Sequence, residues 1–140
     1  MNMIVQRIEN NTFIARGESN HWVVLDTQKE HGGQSAATSP MEMVLIALGG
    51  CTGMDVESLL QKMRTPAETF KIEISAERRA EHPRVFTHIH LKYIFSGKDL
   101  NPDSIEKAVA LSQNKYCSVS AMLAKTAKID YEILINPPVE

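Results

Sequence analysis

SPMEMVLIALGGCTGMDVESLLQKMR, residues 39–64, decides how the rest of the chain is read. Ser39 suits an N-cap, Pro40 suits the first helical position, and Glu42 completes an S-x-x-E capping box. From Met41 to Ala47 every residue except Glu42 is apolar, on all sides of a helix. Such a helix is expected to be buried rather than laid on a surface. It is expected to run from Pro40 to Arg64, roughly 36 Å at 1.5 Å per residue, with Pro66 beyond its end. Gly49-Gly50-Cys51 lies in its middle. Two glycines inside a helix cost about 1 kcal/mol each relative to alanine. A buried helix carrying that cost points to close backbone approach, or to open space beside the cysteine.

The 140 residues, 43% of them hydrophobic, suit one domain with a real core, taken as 1–140. A net charge of −2 implies no basic surface, and hence no nucleic-acid partner. Glu42, Gly49, Gly50, Gly53 and Asp55 interrupt the apolar stretch, which is expected to be too short and too polar for a bilayer. The opening residues, MNMIVQRIEN, do not read as a signal peptide, so a cytoplasmic location and no membrane partner are expected.

Before the central helix, residues 3–9, 12–16 and 21–26 read as three strands separated by Asn10-Asn11 and by residues 17–20, a meander. Residues 29–38 form a loop of small and polar residues that leads into the helix cap. After the helix, residues 69–76 and 87–95 alternate as half-buried strands. Phe70, Ile72, Ile74, Ile89, Leu91, Tyr93 and Phe95 face inward, while His88, His90 and Lys92 face out. Asn101-Pro102-Asp103 starts a second helix, running to about Gln113 with an apolar stripe of Ile105, Ala108, Val109 and Leu111. A further short helix over residues 118–127 and a last strand over 129–135 complete the chain. Segregated strands and helices indicate an α+β fold. His88 and His90 alone are a partial metal site on a solvated sheet face, and no metal is assigned there.

Two cysteines, Cys51 and Cys117, stand far apart in sequence. They do not form C-x-x-C, and two remote cysteines cannot build a zinc site without histidines, so no metal is expected. Packed as inert thiols they need no further role. Cys117 sits just before a helix start, where free amides and the helix dipole favour a thiolate. Asp55, one turn beyond Cys51, opposes a thiolate there, so activation of Cys51 calls for a cation from elsewhere, an arginine by preference. One cysteine beside a small-residue opening and a second at a helix start suggest a pair. The first attacks an oxidant and becomes a sulfenic acid; the second condenses with it to a disulfide.

The run S-P-M-E-M-V-L-I-A-L-G-G-C-T, together with Y-C-S-V-S-A-M-L around Cys117, resembles the OsmC/Ohr family, and more closely its YhfA-like branch. The resemblance spans nearly the whole chain. It implies an OsmC-like fold of antiparallel strands around a long buried central helix, in an intertwined homodimer with the two central helices in the middle. It further implies a thiol-dependent peroxidase for organic hydroperoxides, with Cys51 as the peroxidatic and Cys117 as the resolving cysteine, reset by a dithiol reductant and needing no cofactor. In the family a glutamate directly follows the helix-start proline and pairs with an activating arginine. Here Met41 holds that position and Glu42 comes one residue later. Glu42 is therefore the candidate for that role, turned by about 100° around the helix, and capping with Ser39 competes for it. Neither Arg7 nor Arg16 falls on the family's arginine. An alternative without turnover is a redox sensor, or a dimer of the same fold that binds a small apolar ligand or electrophile.

Overall fold

The computed structural model describes residues 1–138; residues 139 and 140, part of the expected domain 1–140, lie outside the described residues. The chain divides into two compact units, residues 1–46 and 47–140.

In the first unit, β1 (Ile4–Glu9), β2 (Thr12–Arg16) and β3 (Trp22–Leu25) form the expected antiparallel meander. Asn10 and Asn20 take φ of 48° and 62° in its turns, a conformation asparagine tolerates. The sheet is apolar yet open, with Ile4, Val5, Ile8, Trp22, Val23 and Val24 all exposed. The loop that follows is built around Asp26, which is only 1% exposed. Its carboxylate accepts the amides of Thr27, Gln34 and Ala36 at 2.8, 3.1 and 3.0 Å. The Ala36 amide foremost holds the Asp26 carboxyl below the usual range. A Cβ on Gly33 would lie 2.0 Å from the Thr27 carbonyl oxygen, so only glycine fits there.

Helix α1 (Pro40–Lys62) begins in the first unit and continues into the second. The expected capping box is present: Ser39 donates its amide and hydroxyl to Glu42 Oε2 at 2.8 and 2.7 Å. The helix stops at Lys62 rather than Arg64, because Arg64 turns left-handed with φ of 55°. Thr65 then donates to the Leu60 carbonyl and Arg64 to that of Gln61, closing the last turn.

Two expectations for this helix need correcting. It is not buried on every side: the chain covers one stripe, Leu48, Thr52, Val56 and Leu60, spaced four apart. Ile46 and Met54 stand 55% and 76% exposed. A single chain supplies only one layer for the helix to pack on. Nor is it too short or too polar for a bilayer, since by length and composition it passes that test despite its glycines. A helix packed along one stripe in a folded unit passes the same test.

The second unit holds a three-stranded sheet of β4 (Thr69–Arg78), β5 (Phe86–Ser96) and β6 (Lys128–Ile135), in the order β4-β5-β6. β4 and β5 pair antiparallel with the inward and outward faces expected. β6 departs from an all-antiparallel arrangement and runs parallel to β5. Two helices, α2 (Pro102–Leu111) and α3 (Ser118–Leu123), lie between them in sequence and make the crossover that a parallel pair requires. Leu48, Val56, Leu60, Ile89, Leu91, Tyr93, Phe95, Ile105 and Val109 are fully buried and form the core of this unit. Phe70 stacks on Phe95 at 4.5 Å between ring centres.

Both closing helices are shorter than expected. The regular part of α2 ends at Leu111 and widens into a π-helical turn over Ser112–Tyr116. α3 ends at Leu123, with turns in place of its expected last residues. On the outer face, His88 and His90 meet Asp130 at 2.8 and 2.6 Å, and Lys92 meets Glu132 at 3.3 Å, a solvated charged face as expected.

Candidate functional site

Cys51 and Cys117 come together in the second unit. Their sulfurs and one carboxylate oxygen of Asp55 all lie within 4.8 Å of one another. α1 delivers Cys51 and Asp55 on one face, four residues apart, as the helical period requires. The opposite side of the site comes from the junction of α2 and α3. In the π-helical turn the Cys117 amide donates back five residues to the Ser112 carbonyl, at 2.9 Å. The chain then leaves the helical region at Cys117, with ψ of 101°, and Cys117 caps α3. Its sulfur accepts the Ser120 amide at 3.3 Å.

Both cysteines are free thiols, Cys51 half-buried and Cys117 only 2% exposed. Space remains beside Cys51, since a Cβ on Gly50 would meet no atom within 4 Å. Gly49 gives the close approach, its ideal Cβ lying 2.9 Å from Ile74 Cδ1. Gly49 thus serves the close approach that the cost of the glycines pointed to.

The helix start does not lower the ionisation of Cys117 as expected. Burial pushes its thiol up, ahead of the lowering by Ser120, and the neighbouring Cys51 raises it further.

A chain of hydroxyls stands behind the three groups. Ser112 Oγ donates to Asp55 Oδ2 at 3.1 Å. With that proton committed, Ser112 accepts from Thr52 Oγ1 at 2.8 Å, and Thr52 accepts from the Tyr93 hydroxyl at 2.7 Å. Gln113 Nε2 donates to both Thr52 and Tyr93, at 3.1 and 2.7 Å. Burial pushes the Tyr93 phenol up to about 12, so it remains a donor. All four hydroxyl and amide groups therefore point their protons toward one carboxylate.

Ser120 completes the setting. Its hydroxyl is buried, makes no hydrogen bond as the site stands, and acts on Cys117 in the sense of a donor to the sulfur anion. A neutral thiol is a weak acceptor and a thiolate a strong one, so this donor is matched to the ionised sulfur.

The third expected residue, Glu42, is engaged at the helix cap by Ser39. Arg16 donates to Asn20 and lies over the Trp22 ring. Arg78 and Arg79 bind turn carbonyls of residues 81–84. Among the described residues no arginine hydrogen-bonds a cysteine. Sequence reading treated Asp55 only as an obstacle to ionisation and missed Ser112, Thr52, Tyr93, Gln113 and Ser120. The polar run Ser112-Gln113-Asn114 just before Cys117 was the available signal, but Ser112 and Gln113 read there only as the end of a helix.

Comparison with known proteins gives consistent results. A family model described as OsmC-like protein matches residues 32–132. The protein YhfA of Escherichia coli K12 is 43% identical over 132 residues, covering 93% of this chain and 96% of the relative. The crystal structure of a hypothetical protein from Aquifex aeolicus is 30% identical, with a TM-score of 0.80 and 97% of each chain covered. An organic hydroperoxide resistance protein OsmC from Legionella pneumophila shares the fold, with a TM-score of 0.70 at 15% identity over 96% of this chain and 97% of that one.

Proposed function

Because the chain belongs to the OsmC-like family, we propose that it is a thiol-dependent peroxidase that reduces organic hydroperoxides. The observation that carries this reading is the approach of the two sulfurs, remote in sequence, to within 4.8 Å. A disulfide closes at about 2.05 Å, so side-chain rotation with a small backbone adjustment suffices. Cys51 is the more accessible thiol and takes the peroxidatic role. Cys117, buried and held as a thiol, takes the resolving role.

In the first step the Cys51 sulfur attacks the outer oxygen of the hydroperoxide. The O–O bond breaks, Cys51 becomes a sulfenic acid, and the alcohol leaves with the thiol's proton. In the second step Cys117 attacks the Cys51 sulfur, a disulfide forms and water leaves. A dithiol reduces the disulfide and restores both thiols. A cytoplasmic location suits this cycle, since that compartment keeps thiols reduced.

The same reading includes a homodimer. Ile46 and Met54 on α1 and the apolar residues of the first sheet are exposed in the single chain. Exposed apolar surface of that kind supports a protein partner, and a second copy fits the family.

A second reading is a redox sensor that reacts once. It is favoured by the engagement of Glu42 with Ser39, which leaves no glutamate–arginine pair assigned to activate Cys51. Free thiols are to be counted before and after one equivalent of cumene hydroperoxide, then turnover followed with a dithiol. Loss of both thiols with repeated turnover supports the peroxidase. A single slow oxidation without turnover supports the sensor, and two intact thiols reject both.

A further inference from the structure

We infer that the reduced protein binds one Zn²⁺-like cation per chain through Cys51, Asp55 and Cys117. Two sulfurs and a carboxylate oxygen, mutually within 4.8 Å, form three corners of a small polyhedron. Zinc binds thiolate at about 2.3 Å and carboxylate at about 2.0–2.2 Å, which places tetrahedral ligands about 3.3–3.8 Å apart. Closing the three groups onto a cation therefore takes a contraction of about 1 Å or a little more at most, less than a disulfide demands. Thiolate ligands select a soft or borderline cation and disfavour Mg²⁺ and Ca²⁺.

Three further features fit a cation. The Ser112 hydroxyl donates to Asp55 Oδ2 and orients the carboxylate toward the sulfurs. Ser120, 2% exposed, holds an unpartnered buried hydroxyl beside the Cys117 sulfur, a donor that a metal-bound thiolate satisfies. On the remaining side, Cys51 is only half-buried, which leaves the fourth position to a water. Two thiolates and a carboxylate bring three negative charges to two positive ones. Binding releases the two thiol protons to solvent.

Metal and disulfide exclude each other, because both use the same electron pairs on sulfur. When an oxidant takes two electrons from the bound thiolates, an S–S bond forms and the cation leaves to solvent. With a hydroperoxide as oxidant, the electrons and two protons give alcohol and water; that route alone rests on the peroxidase reading.

The test titrates fully reduced protein with Zn²⁺ against a chromophoric chelator, and repeats the titration with Co²⁺ to read geometry from its spectrum. One Zn²⁺ per chain is expected, with a thiolate-to-cobalt charge-transfer band and the intense visible bands of a tetrahedral site. Diamide, which oxidises thiols without peroxidase chemistry, is expected to release the metal. Cys51→Ser and Cys117→Ser each lose at least about 100-fold in affinity, since a thiolate is replaced by a neutral hydroxyl. Asp55→Asn loses about 10-fold or more, and Ser112→Ala about 10- to 100-fold. The double variant His88→Ala, His90→Ala keeps wild-type affinity, which separates the site from the surface histidines. Zinc affinity unchanged in either cysteine variant, a cobalt spectrum without the thiolate band, or no binding in competition with the chelator overturns the inference. None of these readouts uses peroxide turnover, so the metal site and the peroxidase reading fail separately.

Discussion

Ser112 ties Asp55 to the cysteine that faces it: its hydroxyl donates to Asp55 Oδ2 at 3.1 Å, while its carbonyl accepts the Cys117 amide at 2.9 Å. One residue thus fixes a carboxylate on α1 and the backbone of the opposing thiol. Replacing it with alanine keeps the carbonyl bond but removes the hydroxyl, so Thr52, fully buried, loses its acceptor. Ser112→Ala is expected to cost about 1–3 kcal/mol in urea unfolding, the usual cost of a buried unsatisfied donor. Tyr93→Phe removes the far end of the chain instead and leaves Asp55 held, so zinc affinity and thiol reactivity should change less in that variant than in Ser112→Ala.

The cysteine roles separate by mutation. Cys51→Ser should abolish reaction with hydroperoxide and leave one buried, slowly reacting thiol. Cys117→Ser should allow one oxidation and then accumulate a sulfenic acid that over-oxidises with excess peroxide. Mass spectrometry after dimedone trapping reads both outcomes. Full activity in Cys51→Ser would reject the assignment.

A pH dependence of stability follows from the outer face of the second sheet. Hydrogen bonding to Asp130 first, and to Glu132 next, raises the His90 pKa from 6.5. The same bond from His90, followed by that from His88, lowers the Asp130 pKa from 3.8 to about 2. Lys92 and Lys128 flank the pair, and Glu77 and Glu73 on β4 stand opposite His88 and Lys92. A raised histidine pKa stabilises fully below its unfolded value and is lost as pH rises through the folded one; a lowered aspartate pKa stabilises above its unfolded value and is lost as pH falls through the folded one. Both contributions are therefore present together between 3.8 and 6.5, the two unfolded-state values. The urea midpoint of wild type minus that of Asp130→Asn should be largest in that window. It should shrink above the His90 titration and again toward pH 2. A difference that stays constant with pH would remove the pair from the account. Because these side chains are a third or more exposed, added salt should reduce the effect.

The exposed apolar face of α1 gives a prediction for assembly. Met54 is 76% exposed in the single chain and points away from the stripe of Leu48, Thr52, Val56 and Leu60. Met54→Asp should leave the chain folded, with unchanged far-UV circular dichroism, and shift its mass in light scattering from dimer to monomer. A wild-type protein that is monomeric at micromolar concentration would reject the proposed homodimer.

Much of this architecture was legible in the sequence, because the signals were local. Ser39 and Glu42 announced the helix start, and Asn101-Pro102 the second one. Alternation gave the faces of β4 and β5 residue by residue. The glycine pair marked the place of Cys51. What sequence did not show is what depends on distant partners. Alternation within β6 carries no information on whether its neighbour runs parallel. The apolar circumference of α1 did not reveal that its own chain covers only one stripe. Cys117 was correctly placed at a helix start, but the burial that reverses the dipole's effect comes from packing. Asp55 was visible four residues from Cys51. The hydroxyl of Ser112 that holds its carboxylate comes from a distant part of the chain.

The π-helical turn at Ser112–Tyr116 makes the meeting of the two sulfurs a matter of angular phase. A residue added to one turn of a helix rotates everything after it by about 100° relative to a regular α-helix. Deleting one residue between Ser112 and Tyr116 would let α2 run on smoothly and would remove no reactive group. It would swing Cys117 around the axis, away from Cys51 and Asp55. The irregular turn therefore acts as a keyway: shortening this one turn by a residue would uncouple the thiols while leaving both in place.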